Sequence, residues 1–286
     1  NGEPIGVFVE RASSVINRAR RNMESRMTDD DRSARTWHEM ELASQEVISK
    51  GITSFQDAGS GWSTIEMFKR GVDEDALQVR LWVMVRGENL DAETLKAGRL
   101  IGYGNHMLTV RAIKLAIDGA LGPRGAWLLE PYSDEPTSSG HNTGDLVEIE
   151  ATANLAIENG YQLCVHAIGD RGNREVLDIY ERTFKAHPEK APGARFRIEH
   201  AQHIHPDDVP RFGELGVIPA MQAVHCTSDA PWVTPRLGVE RAGNGAYVWQ
   251  DLMRSGAVIT NGTDAPVERV DPIASFYSSV TRKPTT

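Results

Sequence analysis

The chain has 286 residues, with 31 Lys and Arg against 40 Asp and Glu, so its formal net charge is −9. A chain this acidic has little attraction for a phosphate backbone, which argues against nucleic acid as a partner. Its hydrophobic content of 40% excludes a disordered or fibrous chain, and its length suits one α/β barrel.

A repeated pattern of helix, glycine and β-branched run organises the chain. In chain order, helices are predicted over residues 37–50, 63–70, 92–101, 146–159, 173–187, 207–215 and 247–255. Strands are predicted over residues 52–57, 79–85, 109–118, 162–166, 195–200, 217–222 and 257–264. A glycine just after a helix end is the usual left-handed cap, and a strand following it makes a βα repeat.

Strands that alternate with helices predict an α/β fold, with a parallel sheet covered by helices. This number of βα units in one chain favours a TIM-type (β/α)8 barrel over an open sheet. A nucleotide-binding open-sheet fold is disfavoured, because neither a GxGxxG nor a GxxxxGK[ST] motif is present. Residues 119–144 are interpreted as one long βα loop, and residues 1–286 as a single barrel domain.

Polar residues follow the predicted strands at their C-terminal ends, where α/β barrels place active sites. These positions hold Asp57, Lys114, Asp118, His166, Glu199, His200, Gln222 and Asp264. Histidine, aspartate and lysine from different strands would suit a divalent metal with nitrogen and oxygen ligands. Each also has an ordinary explanation, since His166 and His200 could be hydrogen-bonded core residues and Asp264 a turn residue.

Lys114 is the most informative of these positions. Strict alternation over residues 109–118 places Lys114 on one face with Val110 and Asp118, pointing into the barrel. A buried ammonium group is costly, so it needs a carboxylate partner or a chemical modification. Pairing with Asp118, or with an acid on a neighbouring strand, is the alternative to a functional role.

One metal-like spacing is interpreted differently. His203-Ile204-His205 has the HxH spacing that metal sites use, but it leads into a helix start at Pro206. We therefore interpret His205 as a loop or capping residue. His225 lies near a strand end, where it could contact substrate or be an exposed loop residue.

Five segments, taken together, resemble the amidohydrolase superfamily, and most closely amidohydrolase family 3, which includes N-substituted formamide deformylases. They are GITSFQDA (51–58), IKL with DGALG (113–115 and 118–122), HAIGDR (166–171), EHAQ (199–202) and GTDAPV (262–267). The resemblance extends in order over essentially the whole chain.

The resemblance implies a metal-dependent hydrolase that cleaves a C–N bond, amide or N-formyl, with metal-activated water. His166, His200 and Asp264 would ligate a divalent metal, expected to be zinc, and Asp264 would also be the catalytic base. Lys114 would be the lysine that carries a carboxylate and bridges two metals in binuclear members. Substrate-binding or supporting roles are implied for Asp118, Arg124, Asp170, Arg171, Gln222 and His225.

The sequence also departs from the family. Members place an HxH motif at the end of the first barrel strand and build a β-sandwich from both chain ends. Residues 1–6 resemble a segment well after that strand, so we expect an incomplete barrel of about seven βα units. The first strand, its two histidines and the sandwich are expected to be missing, which leaves at most one metal on Lys114, His166 and His200.

The remaining predictions concern partners and location. We expect a small-molecule substrate and no membrane partner, because no run approaches about 18 consecutive apolar residues. Residues 1–11 do not have the pattern of a signal peptide, and two cysteines cannot form a disulfide framework, so a cytoplasmic location is predicted. An opened barrel exposes sheet edges, which predicts a homo-oligomer.

Two other functions compete with the hydrolase. The first is a catalytically inactive barrel fragment with a binding or assembly role. The second is a metal-free lyase in which Lys114 forms an imine, although this leaves the set of His166, His200 and Asp264 unexplained.

Overall fold

The computed structural model describes residues 14–87 and 90–284. The strands are β1 (Ser54–Ser60), β2 (Arg80–Val85), β3 (Leu100–Gly102), β4 (Leu108–Ala116), β5 (Gln162–Ala167), β6 (Arg197–His200), β7 (Ile218–Met221) and β8 (Thr260–Asn261). The helices are α1 (Ser14–Glu24), α2 (Asp29–Ser49), α3 (Trp62–Asp73), α4 (Ala92–Gly98), α5 (Tyr103–His106), α6 (Leu146–Glu158), α7 (Asp170–Ala186), α8 (Ala191–Ala194), α9 (Val209–Leu215), α10 (Ala223–Ser228), α11 (Ala230–Gly245), α12 (Trp249–Arg254) and α13 (Pro272–Thr281). Among the helices described, none is both long and apolar enough to cross a bilayer.

The sheet follows the order β1-β2-β4-β5-β6-β7-β8, and every pairing along this path is parallel. The short β3, which the sequence did not predict, pairs antiparallel with β4. The prediction of an α/β fold with an incomplete TIM-type barrel is confirmed. Strands β1 and β8 are the two ends of the sheet, and a cavity of about 440 Å³ lies between them, lined by Phe55, Asp264 and Phe276 among others.

The sheet separates two apolar layers. Its outer face packs against the helices through residues such as Val83, Ile113 and Leu163. Its inner face carries a much smaller cluster of Met84 and Cys164 with Ala112. The narrow inner cluster leaves room for polar side chains inside the curve of the sheet.

A β-bulge at Arg111 corrects the predicted face of β4. Val83 of β2 pairs with Val110, but the next residue, Met84, pairs with Ala112, so β4 has one extra residue here. Val110 consequently lies in the outer core and does not share the face of Lys114. The prediction was wrong because strict alternation holds only on one side of a bulge.

Residues 119–144 are the predicted long loop, and their position is set by α11. The Arg236 guanidinium donates hydrogen bonds to the Gly122 carbonyl oxygen at 2.8 and 3.1 Å. Arg241 donates to the carbonyl oxygens of Glu130 and Pro131, at 3.1 and 2.8 Å. A second apolar cluster fills the space between loop and helix, with Leu121, Leu128, Tyr132, Val233 and Leu237 as members.

Asp118 joins this loop to the end of β5. Its side chain is completely buried, and the carboxylate accepts hydrogen bonds from the backbone N–H groups of Trp127, Ile168 and Gly169 at 2.8–2.9 Å. Three backbone donors on one carboxylate make charge-assisted bonds that water cannot replace in the interior.

Replacing Asp118 should therefore destabilise the fold. Asp118→Ala leaves three buried N–H groups unsatisfied, and we expect the free energy of unfolding to fall by about 3 kcal/mol. Urea titration followed by circular dichroism measures the change. Asp251→Ala is the matched control, because Asp251 is exposed and pairs only across one helical turn with Arg254, so a change below about 0.5 kcal/mol is expected. Equal effects of the two variants would contradict this role of Asp118.

Candidate metal centre

The C-terminal ends of five neighbouring strands meet at one edge of the sheet. In register, His166 of β5 stands beside Glu199 of β6, and the next residue, Ala167, stands beside His200. The two histidine rings consequently contact each other edge to face, with their centroids 4.4 Å apart and their planes at 72°. Parallel pairing alone therefore brings together two of the predicted metal ligands.

The tautomer of His200 follows from its partner, Gln222. His200 Nδ1 lies 2.7 Å from Gln222 Oε1, and Gln222 Nε2 donates to the Ala220 carbonyl oxygen at 3.0 Å, which fixes the amide. An amide oxygen only accepts, so Nδ1 carries the proton and Nε2 offers a lone pair. Burial lowers the pKa of His200 to about 4, so the ring is neutral at pH 7. Gln222 thus fixes the orientation of the His200 ring.

His166 also offers a neutral ring nitrogen. Among residues 14–87 and 90–284, no group hydrogen-bonds to its buried Nε2 atom, and Asp118 Oδ1 lies just beyond that range at 3.6 Å. Burial lowers the pKa of His166 well below its ordinary value, and the neighbouring His200 lowers it further. An unpartnered, uncharged imidazole nitrogen is suited to bind a divalent metal.

Asp264 follows β8 and is held by His225. His225 Nε2 lies 3.2 Å from Asp264 Oδ2, and its Nδ1 lies 3.3 Å from Glu268 Oε1. Burial alone would lower the pKa of His225, but these hydrogen bonds raise it above its ordinary value. Burial would likewise raise the pKa of Asp264, but the bond to His225 and the nearby His200 lower it, so Asp264 stays ionised.

Among the described residues, geometry alone favours a ligand set that differs from the one the resemblance implies. One potential ligand atom from each of His200, His225 and Asp264 lies within 4.8 Å of the others. This set shares His200 and Asp264 with the predicted one and has His225 in place of His166. The sequence left a substrate contact, a supporting role and an exposed loop position open for His225, and the structure buries it between the carboxylates of Asp264 and Glu268.

Two residues of the site, His200 and Asp264, have an unusual backbone conformation. His200 and Asp264 have φ angles of +75° and +54°, in the left-handed region that residues with a side chain rarely adopt. Each costs on the order of 1 kcal/mol, and such strained residues cluster at functional sites. Their positions are consistent with a site maintained for function.

Lys114 is buried at the same edge, with 8% of its surface exposed. Its Nζ donates a hydrogen bond to the Leu115 carbonyl oxygen at 3.0 Å. Burial lowers the pKa of Lys114, and Glu199 is the acid that opposes this most strongly. Glu199 is itself held by Arg197, with 2.7 Å between Arg197 Nε and Glu199 Oε1.

Four of the residues for which substrate-binding or supporting roles were predicted contact the long loop or lie in it. Asp118 accepts the three backbone N–H groups described above, and Asp170 accepts from the Leu129 N–H at 2.9 Å. Arg124 pairs with Asp134 at 3.1 Å, and the Arg171 guanidinium stacks on the Trp127 ring at 4.7 Å. Asp118, Asp170 and Arg171 lie in the same motifs as the predicted metal ligands Lys114 and His166, so spacing could not separate loop anchors from substrate contacts. His205 is a capping residue as predicted, because its ring accepts from the Asp207 N–H.

Sequence reasoning missed two charged residues at this edge. Arg86 directly follows β2, and its side chain lies so close over Gly59 that a Cβ there would be 2.7 Å from Arg86 Cδ. Its charge lowers the pKa of both Lys114 and His166. The strand-end rule applied to β2 would have found Arg86. No sequence signal marks Glu268, which reaches His225 through the turn after Asp264.

Acid should destabilise the metal-free chain through its buried histidines. Burial lowers the pKa of His200 to about 4 and that of His203 to about 3, whereas both would titrate near 6.5 once unfolded. Between these values the unfolded state binds more protons, so the free energy of unfolding falls as the pH decreases below 6.5, by up to about 1.4 kcal/mol per pH unit for each histidine. His225, whose pKa is raised, affects stability above pH 6.5 instead.

Urea titrations in a chelating buffer at about pH 7 and about pH 5.5 measure this dependence. His203→Gln should reduce the change in unfolding free energy between these two pH values by about 1.3 kcal/mol. The partly exposed His205 provides the control, since His205→Gln should leave it unchanged. An unfolding free energy that is the same at both pH values would contradict burial of neutral histidines.

The sequence of this chain is similar to a family of known proteins. The sequence profile of the Amidohydrolase family matches residues 3–286. Protein LONG AFTER FAR-RED 3 of Arabidopsis thaliana is 30% identical over 304 residues, covering 99% of this chain and 49% of that protein. YtcJ of Bacillus subtilis (strain 168) is 30% identical over 291 residues, covering 99% of this chain and 51% of that protein.

A solved structure gives the same result. An uncharacterized metal-dependent hydrolase from Pyrococcus horikoshii OT3 superimposes with a TM-score of 0.78 at 30% identity, covering 95% of this chain and 51% of that one. The chain spans about half the length of the curated relatives it matches. Profile, sequences and fold agree, and the chain belongs to the amidohydrolase family.

Proposed function

We propose that this chain provides the metal-binding edge of a hydrolase that cleaves a C–N bond, amide or N-formyl, with zinc as the metal. The observation that carries the proposal is the pair of neutral histidines, the partly buried His166 and the buried His200, whose ring centroids lie 4.4 Å apart. Support for a C–N substrate comes from the resemblance of the strand-end motifs to N-substituted formamide deformylases.

The residues present fit a divalent metal. His166 Nε2 is buried without a hydrogen-bond partner among the described residues, and His200 Nε2 is left unprotonated by the bond to Gln222. With the carboxylate of Asp264 they would form a nitrogen and oxygen ligand set of the kind zinc prefers, to which a carboxylated Lys114 could add. When bound, the metal would act as a Lewis acid and make hydroxide available near neutral pH.

Asp264 is the general base in this proposal. Its Oδ2 faces His225, so Oδ1 is the oxygen that can accept a proton from the attacking water and return it to the leaving nitrogen. The low pKa of Asp264 keeps the carboxylate ionised until that transfer. His225 orients Asp264, and Glu268 in turn orients His225.

His225 is assigned an orienting role because both of its nitrogens face carboxylates. Its raised pKa favours the protonated ring, and a metal could bind only by displacing that proton. His166 Nε2 has no hydrogen-bond partner among the described residues, and the nearest carboxylate oxygen, Asp118 Oδ1, is 3.6 Å away, which is why we favour His166, His200 and Asp264 over the alternative set with His225.

Metal retention distinguishes the two sets. The purified chain is stripped with a chelator, given zinc, desalted and analysed by mass spectrometry for bound metal. We expect about one zinc per wild-type chain and loss of zinc in His166→Asn and His200→Asn. His225→Asn should retain zinc, and so should His205→Asn, the matched control at a capping histidine.

Hydrolysis is measured in the same preparations as formate released from N-formylated amines. Asp264→Asn should lower kcat by at least about a hundredfold, and removal of zinc should abolish turnover. Loss of zinc in His225→Asn but not in His166→Asn would overturn the ligand assignment. A folded wild-type chain that neither retains zinc nor releases formate would overturn the hydrolase and favour an inactive barrel.

A further inference from the structure

Three arginines meet at the opposite end of the strands from the metal centre. Arg111 lies in the bulge of β4, Arg99 follows α4, and Arg195 lies two residues before β6. By contrast, His166 and His200 lie at the C-terminal ends of β5 and β6. The two clusters are therefore separated by the length of the sheet.

The arginines converge on the turn that leads into β5. Arg111 Nε donates to the Gly160 carbonyl oxygen at 3.1 Å, and Arg99 Nη2 lies 3.2 Å from the position that a Cβ on Gly160 would occupy. Arg195 is held beside them, because the Gln162 side-chain amide donates to its carbonyl oxygen. Backbone contacts on both sides thus fix this cluster.

The positive charge of the cluster is not compensated by the described chain. Among residues 14–87 and 90–284, no carboxylate forms an ion pair with Arg99, Arg111 or Arg195, although the chain as a whole is strongly acidic. Burial, Arg99 and Arg195 together lower the pKa of Arg111. Arg111 is partly buried while Arg99 and Arg195 are exposed, and the repulsion of Arg111 by its two neighbours is unfavourable unless an anion offsets it.

A cavity of about 350 Å³ lies against this cluster and is lined with hydrogen-bond donors. Arg111, Arg195 and Trp82 line it, together with Gln162 and Thr260. The buried Nε1 of Trp82 has no acceptor among the described residues. Arg197 also lines the cavity, but Glu199 already neutralises it. No carboxylate belongs to the lining, so its uncompensated charges and its free donor all favour an anion.

The bulge provides a reason for this arrangement. An extra residue in β4 directs Arg111 towards the cavity while Ala112 continues the inner face, and bulges commonly re-aim a side chain in this way. Arg195 is also strained, with φ at +50°. Both arginines therefore occupy irregular backbone positions beside one cavity.

We propose that this cavity binds a phosphate-type oxyanion, either inorganic phosphate or a phosphomonoester, held by Arg111 and Arg195 with the Trp82 N–H as a further donor. A tetrahedral dianion balances two guanidinium charges and accepts hydrogen bonds from several directions, whereas a carboxylate balances one. The site is independent of the proposed hydrolase reaction, because none of its residues belongs to the metal centre.

Calorimetric titration of the zinc-loaded full chain tests the site with inorganic phosphate, methyl phosphate and acetate at constant low ionic strength. We expect saturable binding of one phosphate, no comparable binding of acetate, and a dissociation constant raised at least about tenfold in Arg195→Gln. Arg195 is exposed, so this variant should fold, and thermal melting without phosphate verifies that. Tighter binding of methyl phosphate than of phosphate would identify a phosphorylated metabolite as the ligand, and the reverse would identify the free ion.

Two further variants separate this site from alternatives. Arg254→Gln, at an exposed arginine on α12, is the matched control and should bind phosphate as the wild type does. His200→Asn should also leave phosphate binding unchanged, because the cluster lies away from the metal centre. Absence of saturable binding, unchanged affinity in Arg195→Gln, or loss of binding in His200→Asn would each overturn the proposal.

Discussion

The hydrogen bond from His200 Nδ1 to Gln222 Oε1, at 2.7 Å, is the interaction on which the proposed metal centre depends. It fixes one tautomer and one orientation of the His200 ring, and of the two ring nitrogens it leaves Nε2 as the one that can bind a metal. The bond joins two adjacent strands of the sheet, because His200 ends β6 and Gln222 directly follows β7. The chemistry of the ligand is therefore set by the register of the fold.

Burial gives neighbouring groups at this edge different charges. His166 and His200 are kept neutral by loss of solvent, while Asp264 and His225 share a hydrogen bond that favours their charged forms. Groups whose pKa values are separated in this way can act as metal ligand, base and orienting residue without exchanging roles. Lys114 completes the edge, and its burial near Glu199 is consistent with the modification that the family resemblance implies.

The sequence predicted most of the sheet, because a parallel sheet covered by helices imposes a strong apolar pattern on its strands. It also located His166, His200, Lys114 and Asp264, since strand ends in such a sheet meet at one edge. It could not predict the bulge at Arg111, because an arginine at a strand start fits either face and no turn residue marks the extra position.

The contacts of loop residues could not be predicted from the sequence either. Asp118 and Asp170 lie in the same motifs as the strand-end residues, and only the path of residues 119–144 shows that their carboxylates hold backbone N–H groups. The pairing of His225 with Glu268 depends on the left-handed backbone conformation of Asp264. The backbone propensity of aspartate does not predict which of the aspartates in a chain adopts this conformation.

The two ends of the sheet offer different groups to a ligand. At the C-terminal end, the neutral histidines and the carboxylate of Asp264 suit a cation although Lys114 and Arg86 lie nearby, whereas at the N-terminal end Arg99, Arg111 and Arg195 suit an anion. The ligand assignment at the first end is tested most directly by anomalous diffraction at the zinc edge from crystals of the zinc-loaded chain. We expect one strong peak about 2.0–2.1 Å from both His166 Nε2 and His200 Nε2. A peak bound by His200 and His225 but not by His166 would contradict the assignment.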